Sequence, residues 1–175
     1  MKKTISYYLV IFFLFFTLNK NVNAENLTIL FVDMDKIISQ SNAGKKVQKT
    51  INKLIKKENE KYDKKESNLK DEENEILKQK NILSKEELDK KIKNFQVNLN
   101  DFRNERAKFN RSINKKNLEA TNKMVNEINK ILTKYASENS ISLVIQKKNI
   151  IIGKSELDIT DKILEEFNNT VKNID

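Results

Sequence analysis

The sequence predicts an α+β protein in which a long antiparallel α-helical coiled-coil hairpin projects from a small β body that assembles with other protomers. Three observations predict it. From about Lys45 to Lys116 the chain is proline-free, highly charged and helical in period, with one break at Asn81-Ile82-Leu83-Ser84. Ser84-Lys85-Glu86-Glu87 has the form of a capping box, so a new helix starts there, and two helices joined by so short a turn lie antiparallel. Short apolar runs rich in β-branched residues flank this stretch on both sides. Each limb of roughly 36 to 38 residues would be about 55 Å long, too long to fold inside a domain of this size.

In chain order, the first element is an export signal over residues 1–24. Lys2 and Lys3 form its positive end, Tyr7 to Leu18 is a continuous apolar run, and Val22-Asn23-Ala24 supplies small residues for cleavage after Ala24. The run is shorter than the roughly 20 residues needed to span a bilayer, and no cysteine stands at the junction to carry a lipid. The mature chain is expected to begin at Glu25, soluble in an extracytoplasmic space.

Residues 25–44 and 117–175 form the expected body. Leu27 to Val32 reads as a strand buried on both faces, and Met34 to Gln40 as one or two helical turns capped by Asp33 or Asp35. Ser41-Asn42-Ala43-Gly44 marks the corner into the arm, residues 45–116, whose tip lies near 81–84. On the outgoing limb Ile55, Tyr62, Leu69 and Ile76 recur every seven residues, while Glu58, Lys65 and Glu72 interrupt the companion seam and mark where flexibility is expected. The returning limb keeps Leu88, Phe95, Phe102 and Phe109 on one seam and Ile92, Leu99, Arg106, Ile113 and Ala120 on the other. Strict sevens imply a left-handed supercoil. The returning limb has more apolar side chains than the outgoing one can cover. Either the Phe rings reach across and fill a sparse seam, or some of Phe95, Phe102 and Phe109 stay partly exposed as contacts for apolar segments of another protein.

Beyond Lys116, Ala120, Met124, Ile128, Ile131 and Tyr135 form a denser stripe that docks on the body. Ile141 to Gln146 alternates like a half-buried strand, Lys147-Lys148-Asn149 reads as a turn, and Ile150 to Ile152 as a third strand ending at Gly153. Asp158 or Thr160 can cap a last helix carrying Ile163, Leu164, Phe167 and Val171 on one face. Three short strands make a poor sheet alone, so oligomerisation through Ile29, Phe31, Val32, Leu143, Ile145 and Ile151 is the expected remedy.

Composition removes whole classes of chemistry. There is no cysteine and no histidine, and the two glycines, Gly44 and Gly153, cannot build a phosphate-cradling loop. Asp33, Asp35, Glu72 and Glu73 sit in no catalytic context, so no catalytic, metal or cofactor site is expected. The mature chain carries 31 basic and 25 acidic residues, a net +6. Residues 45–116 account for 22 basic and 13 acidic, net +9, which leaves the body at −3. A basic arm on a mildly acidic body favours acidic partners, with Lys78, Lys80, Lys85, Lys90 and Lys91 as contact candidates near the tip. Export and the interspersed acids argue against nucleic acid.

The order of these features resembles the Skp/OmpH family of periplasmic chaperones. The resemblance runs from Ile29-Leu-Phe-Val-Asp33 through the hairpin and the Ile141-Ser-Leu-Val-Ile145 strand to Leu157-Asp-Ile-Thr-Asp161 before the terminal helix. It implies a homotrimer with a barrel-like body and three hanging arms. Such an assembly is an ATP-independent holdase that encloses unfolded outer-membrane proteins in transit, and anionic membrane or lipopolysaccharide surfaces are further partners it suggests. The competing reading is a structural or tethering coiled coil of the cell envelope whose basic arm binds an anionic surface.

Overall fold

The computed structural model describes residues 27–174, so the expected export signal and its cleavage site lie outside the described residues. Strand β1 (Ile29–Val32) leads into the short helix α1 (Met34–Gln40). Two long helices follow, α2 (Asn42–Gln79) and α3 (Lys85–Glu138), joined by a four-residue turn plus Ser84. Strand β2 (Leu143–Gln146) and helix α4 (Thr160–Thr170) complete the chain. Helices α2 and α3 have 38 and 54 residues, roughly 57 and 81 Å at the usual rise.

Local chemistry fixes most boundaries. Asp33 caps α1 by accepting from the Lys36 amide at 2.9 Å, and Ser41 caps α2 by accepting from the Gly44 amide at 3.1 Å. Helix α2 therefore begins inside the segment read as a corner. The bend survives because Ser41 keeps extended dihedrals between two helices. Gly44 is required by close approach: a Cβ there would lie 1.7 Å from the Ile38 carbonyl oxygen, so α1 can pack this tightly on α2 only beside a glycine. At the tip the capping box is present in full, with Ser84 accepting from the Glu87 amide and Glu87 accepting from the Ser84 amide at 3.1 Å. Hydrogen bonds from the Ser84 hydroxyl and amide hold the Glu87 carboxyl below the usual range. Helix α3 ends with Ser140 in the left-handed region at φ 52° and the Ile141 amide bonded back to the Ala136 carbonyl.

Strands β1 and β2 pair in parallel, Ile29 opposite Leu143 and Val32 opposite Gln146, with the whole hairpin as their crossover. The other edge of β1 is covered by the segment at Asp158, where the Ile159 amide donates to the Phe31 carbonyl at 3.0 Å. The third strand expected at Ile150–Ile152 does not form. A 3₁₀ turn over Lys147–Asn149 interrupts the extended backbone directly after β2, no strand pairs with 150–152 among the described residues, and Ile151 and Ile152 are 98% and 91% exposed. Of the residues expected to oligomerise through strands, Ile151 is thus outside any strand, and Val32 is committed to this chain's own core.

That core lies at the base of the hairpin. Val32, Ile37, Ala43, Met124, Ile128, Ile131, Ile159, Ile163, Phe167 and Val171 form one buried cluster, drawn from β1, α1, the start of α2, the last part of α3, and α4 with its flanks. The i, i+4 spacing of Met124 and Ile128, and of Ile163 and Phe167, places each pair on one helix face. Burying each such side chain stabilises the fold by about 1.5–3 kcal/mol relative to leaving it in water.

Candidate functional site

The hairpin and the knot that anchors it are the two built features outside the core. Halfway along the arm, Tyr62 of α2 packs edge-on against Phe102 and Phe109 of α3, with centroids 5.9 and 6.0 Å away. Arg106 lies over both Tyr62 and Phe102, 5.8 and 5.6 Å from the centroids. Its position in an apolar seam therefore reflects stacking on aromatic faces rather than a gap. The Tyr62 hydroxyl makes a long 3.4 Å hydrogen bond to the Glu105 carbonyl. Burial, then the carboxylates of Glu58 and Glu105, push the Tyr62 phenol above its ordinary pKa.

The clasp decides where the expected apolar contacts stand. Phe102 is 8% exposed and enclosed by Tyr62 and Arg106, so it is removed from the set of surface contacts. Phe95 and Phe109 are half-buried, so the rings fill the sparse seam and still leave part of themselves at the surface. Beyond the clasp, from residue 63 to residue 101, no side chain is fully buried. Polar groups bridge the limbs here and brace the clasp: Asn98 donates to Glu72 at 3.2 Å, Lys65 pairs with Glu105 between limbs beside the clasp, and Lys61 pairs with Glu58 along α2 at 2.7 Å on its base side. The three seam interruptions Glu58, Lys65 and Glu72 are thus all partnered. Lys78, Lys80, Lys85 and Lys90 are exposed near the tip, and Lys91 is half-buried.

The anchor is built by Asp158-Ile159-Thr160-Asp161. Buried Thr160 accepts from the Asp33 amide at 2.8 Å and donates its hydroxyl to Asp158, joining the end of β1 to the start of α4. It does not cap its own helix. The N-cap is Ile159, without a side-chain cap, and Asp158 just before it accepts from the Thr160 amide at 2.9 Å and from Lys147 at 2.7 Å. Lys36 reaches Asp161 at 2.5 Å. Burial pushes the Asp158 carboxyl up, but hydrogen bonds from Lys147 and Thr160 outweigh it and hold the group below its usual range. From the far side, Asn168 accepts from the Asn42 amide at 2.8 Å and Asn173 accepts from Lys46, so the C-terminal segment grips the first turn of α2. Four of these pairings, Asp33 with Thr160, Lys36 with Asp161, Asn42 with Asn168 and Lys46 with Asn173, join residues more than 120 positions apart and have no local sequence signal.

Fold and anchor define a class: a small α+β body that holds a long two-helix arm by its base. The chain belongs to the outer membrane protein (OmpH-like) family, whose model matches residues 28–167. The fold is similar to the crystal structure of a Caulobacter crescentus protein described as an OmpH-like outer membrane chaperone. Over 85% of this chain and 88% of that one the TM-score is 0.75, at 14% sequence identity. No curated protein matches the sequence.

Proposed function

We propose that this chain is an ATP-independent periplasmic holdase: it binds unfolded outer-membrane proteins between helical arms and keeps them from aggregating in transit. The observation that carries the reading is the arm itself, a two-helix projection with no fully buried side chain over its outer half, in a member of the OmpH-like family. Half-buried apolar groups such as Phe95, alternating with charge, bind many sequences weakly, and binding an unfolded chain withdraws it from aggregation by mass action. The working form is a homotrimer. The open edge of β2 and the exposed Leu27, Ile29, Leu143, Ile151 and Ile152 support this, because one chain leaves this apolar surface uncovered. Residues 45–116 act as the arm, and residues 25–44 with 117–175 as the assembling body.

Light scattering of the mature chain, alone and with a urea-diluted outer-membrane β-barrel protein, tests the reading. A trimer that forms a soluble complex with the client supports it. A monomer that leaves aggregation unchanged overturns it, and binding to anionic vesicles without protection would favour an envelope tether.

A further inference from the structure

The arm's positive charge is not spread along it. The first thirteen residues of the outgoing limb, 45–57, hold Lys45, Lys46, Lys49, Lys53, Lys56 and Lys57 and no acid. The antiparallel stretch beside them, 106–116, holds Arg106, Lys108, Arg111, Lys115 and Lys116, again with no acid. All 13 acids of the arm fall between Glu58 and Glu105, where they outnumber 11 bases. The proximal arm is therefore +11, the distal arm −2 and the body −3. The register of the clasp, with Tyr62 between Phe102 and Phe109, sets the two acid-free stretches partly alongside each other and staggered along the arm, in one basic belt where the arm leaves the body, with Lys116, Glu119 and Lys123 of α3 beside the start of α2. Among the described residues, only Arg106 and Lys115 of these eleven have a carboxylate partner, at 4.0 and 3.8 Å.

We infer that this belt is the site at which the arm holds acidic segments of an unfolded polypeptide, an assignment that rests on the holdase reading and locates its electrostatic part at the shoulder rather than the tip. The occupant follows from charge and shape. Lys45, Lys49, Lys53 and Lys56, spaced by three or four residues, line one surface of α2 with no α3 residue among them. Lys108, Arg111 and Lys115 recur at the same spacing on α3, on the face turned away from the seam residues Phe102, Phe109 and Ile113. Cations on two outward faces of a two-helix ribbon can be met together by an extended chain that wraps it. A flat membrane meets only one face. Between the helices at the same level lies a cleft of about 320 Å³ lined by Val47, Ile51, Leu54 and Ala120, with three cations, Lys46, Lys116 and Lys123, against one carboxylate, Glu119, on its walls. It accepts an apolar side chain flanked by carboxylates, which an acidic polypeptide segment supplies.

Fluorescence anisotropy on the full mature chain tests the inference, with a labelled disordered peptide of interspersed Glu and Leu, its Gln-for-Glu counterpart, and phosphatidylglycerol vesicles as probes. Combined Lys45→Gln, Lys49→Gln, Lys53→Gln and Lys56→Gln should weaken binding of the Glu peptide about tenfold and flatten its salt dependence. Combined Lys108→Gln, Arg111→Gln and Lys115→Gln should act in the same direction. Four changes at the tip, Lys78→Gln, Lys80→Gln, Lys85→Gln and Lys90→Gln, should cost less than about threefold. Equal loss from belt and tip, equal binding of the Gln peptide, or uptake by vesicles without peptide binding would each overturn it. The aggregation assay separates the two ideas. A belt variant that still protects a client as well as wild type defeats the belt and leaves the holdase standing. Peptide binding at the belt by a chain that protects no client does the reverse.

Discussion

The base and the arm of this molecule are held by different means. At the base, Ile37, Ile128, Ile163 and Phe167 are essentially inaccessible to solvent, and a hydrogen-bonded knot ties together chain ends far apart in sequence. In the arm, side chains are buried fully only at Ile51, Tyr62 and Phe102 beyond the first turn of α2 and before α3 docks. The outer half has half-buried seams and polar bridges. The difference teaches that a rigid mount and a yielding arm can be made from one continuous pair of helices, because helix propagation is local while rigidity comes from tertiary burial.

Removing the centre of the mount should have the largest effect. Phe167→Ala deletes a fully buried ring and should cost about 3–5 kcal/mol, read as a fall in the urea midpoint that unfolds base and arm together. If the arm alone loosened, the base would not be the mount. Gly44→Ala attacks the same region through overlap rather than a cavity, since its methyl would collide with the Ile38 carbonyl. A loss of about 3 kcal/mol is expected. A neutral outcome would mean that α1 can slide away from α2 freely.

Tyr62→Ala sharpens the comparison from the other side. It removes two aromatic pairs and one face of the Arg106 stack, worth about 2 kcal/mol of local arm stability. Amide exchange should then accelerate across residues 63–101 while protection around Ile128 and Phe167 stays as in wild type. Loss of protection at both places would show arm and base to be one cooperative unit.

Legibility in the sequence follows the range of the interactions. The tip turn, the Ser84 cap, α1 and the stripe that docks α3 rest on spacings of three to seven residues, and each stands where periodicity puts it. Long-range chemistry was hidden. Thr160 reads as a local cap, but its hydroxyl serves the amide of Asp33, 127 positions away. Arg106 looks like a fault in an apolar seam because an apolar pattern has no symbol for a cation on an aromatic face. Ile150 to Ile152 has strand composition, yet pairing needs a neighbour that this single chain does not supply. The cationic belt was lost in the arm's summed charge, which averages +11 with −2.

The smallest expected effect concerns the pair Lys147 and Asp158, which is partly solvated and braces the mount without filling it. Since the folded Asp158 carboxyl is held below its usual range, the unfolded chain binds its proton first as pH falls. The stabilisation is therefore complete above the ordinary carboxylate pKa of about 4 and is lost as pH drops through the lower folded value. Lys147 is raised by its hydrogen bond to, and the charge of, Asp158, so on its side the benefit fades only as pH climbs past the ordinary lysine value of about 10.4. Asp158→Asn should lower Tm at neutral pH by on the order of 2–3 °C, because a solvated ion pair contributes little. Wild type and variant should converge in acid, once pH has fallen through the lowered value of the folded carboxyl. A gap that persists there would mean that the residue acts through the geometry of its hydrogen bonds to Thr160 and not through its charge.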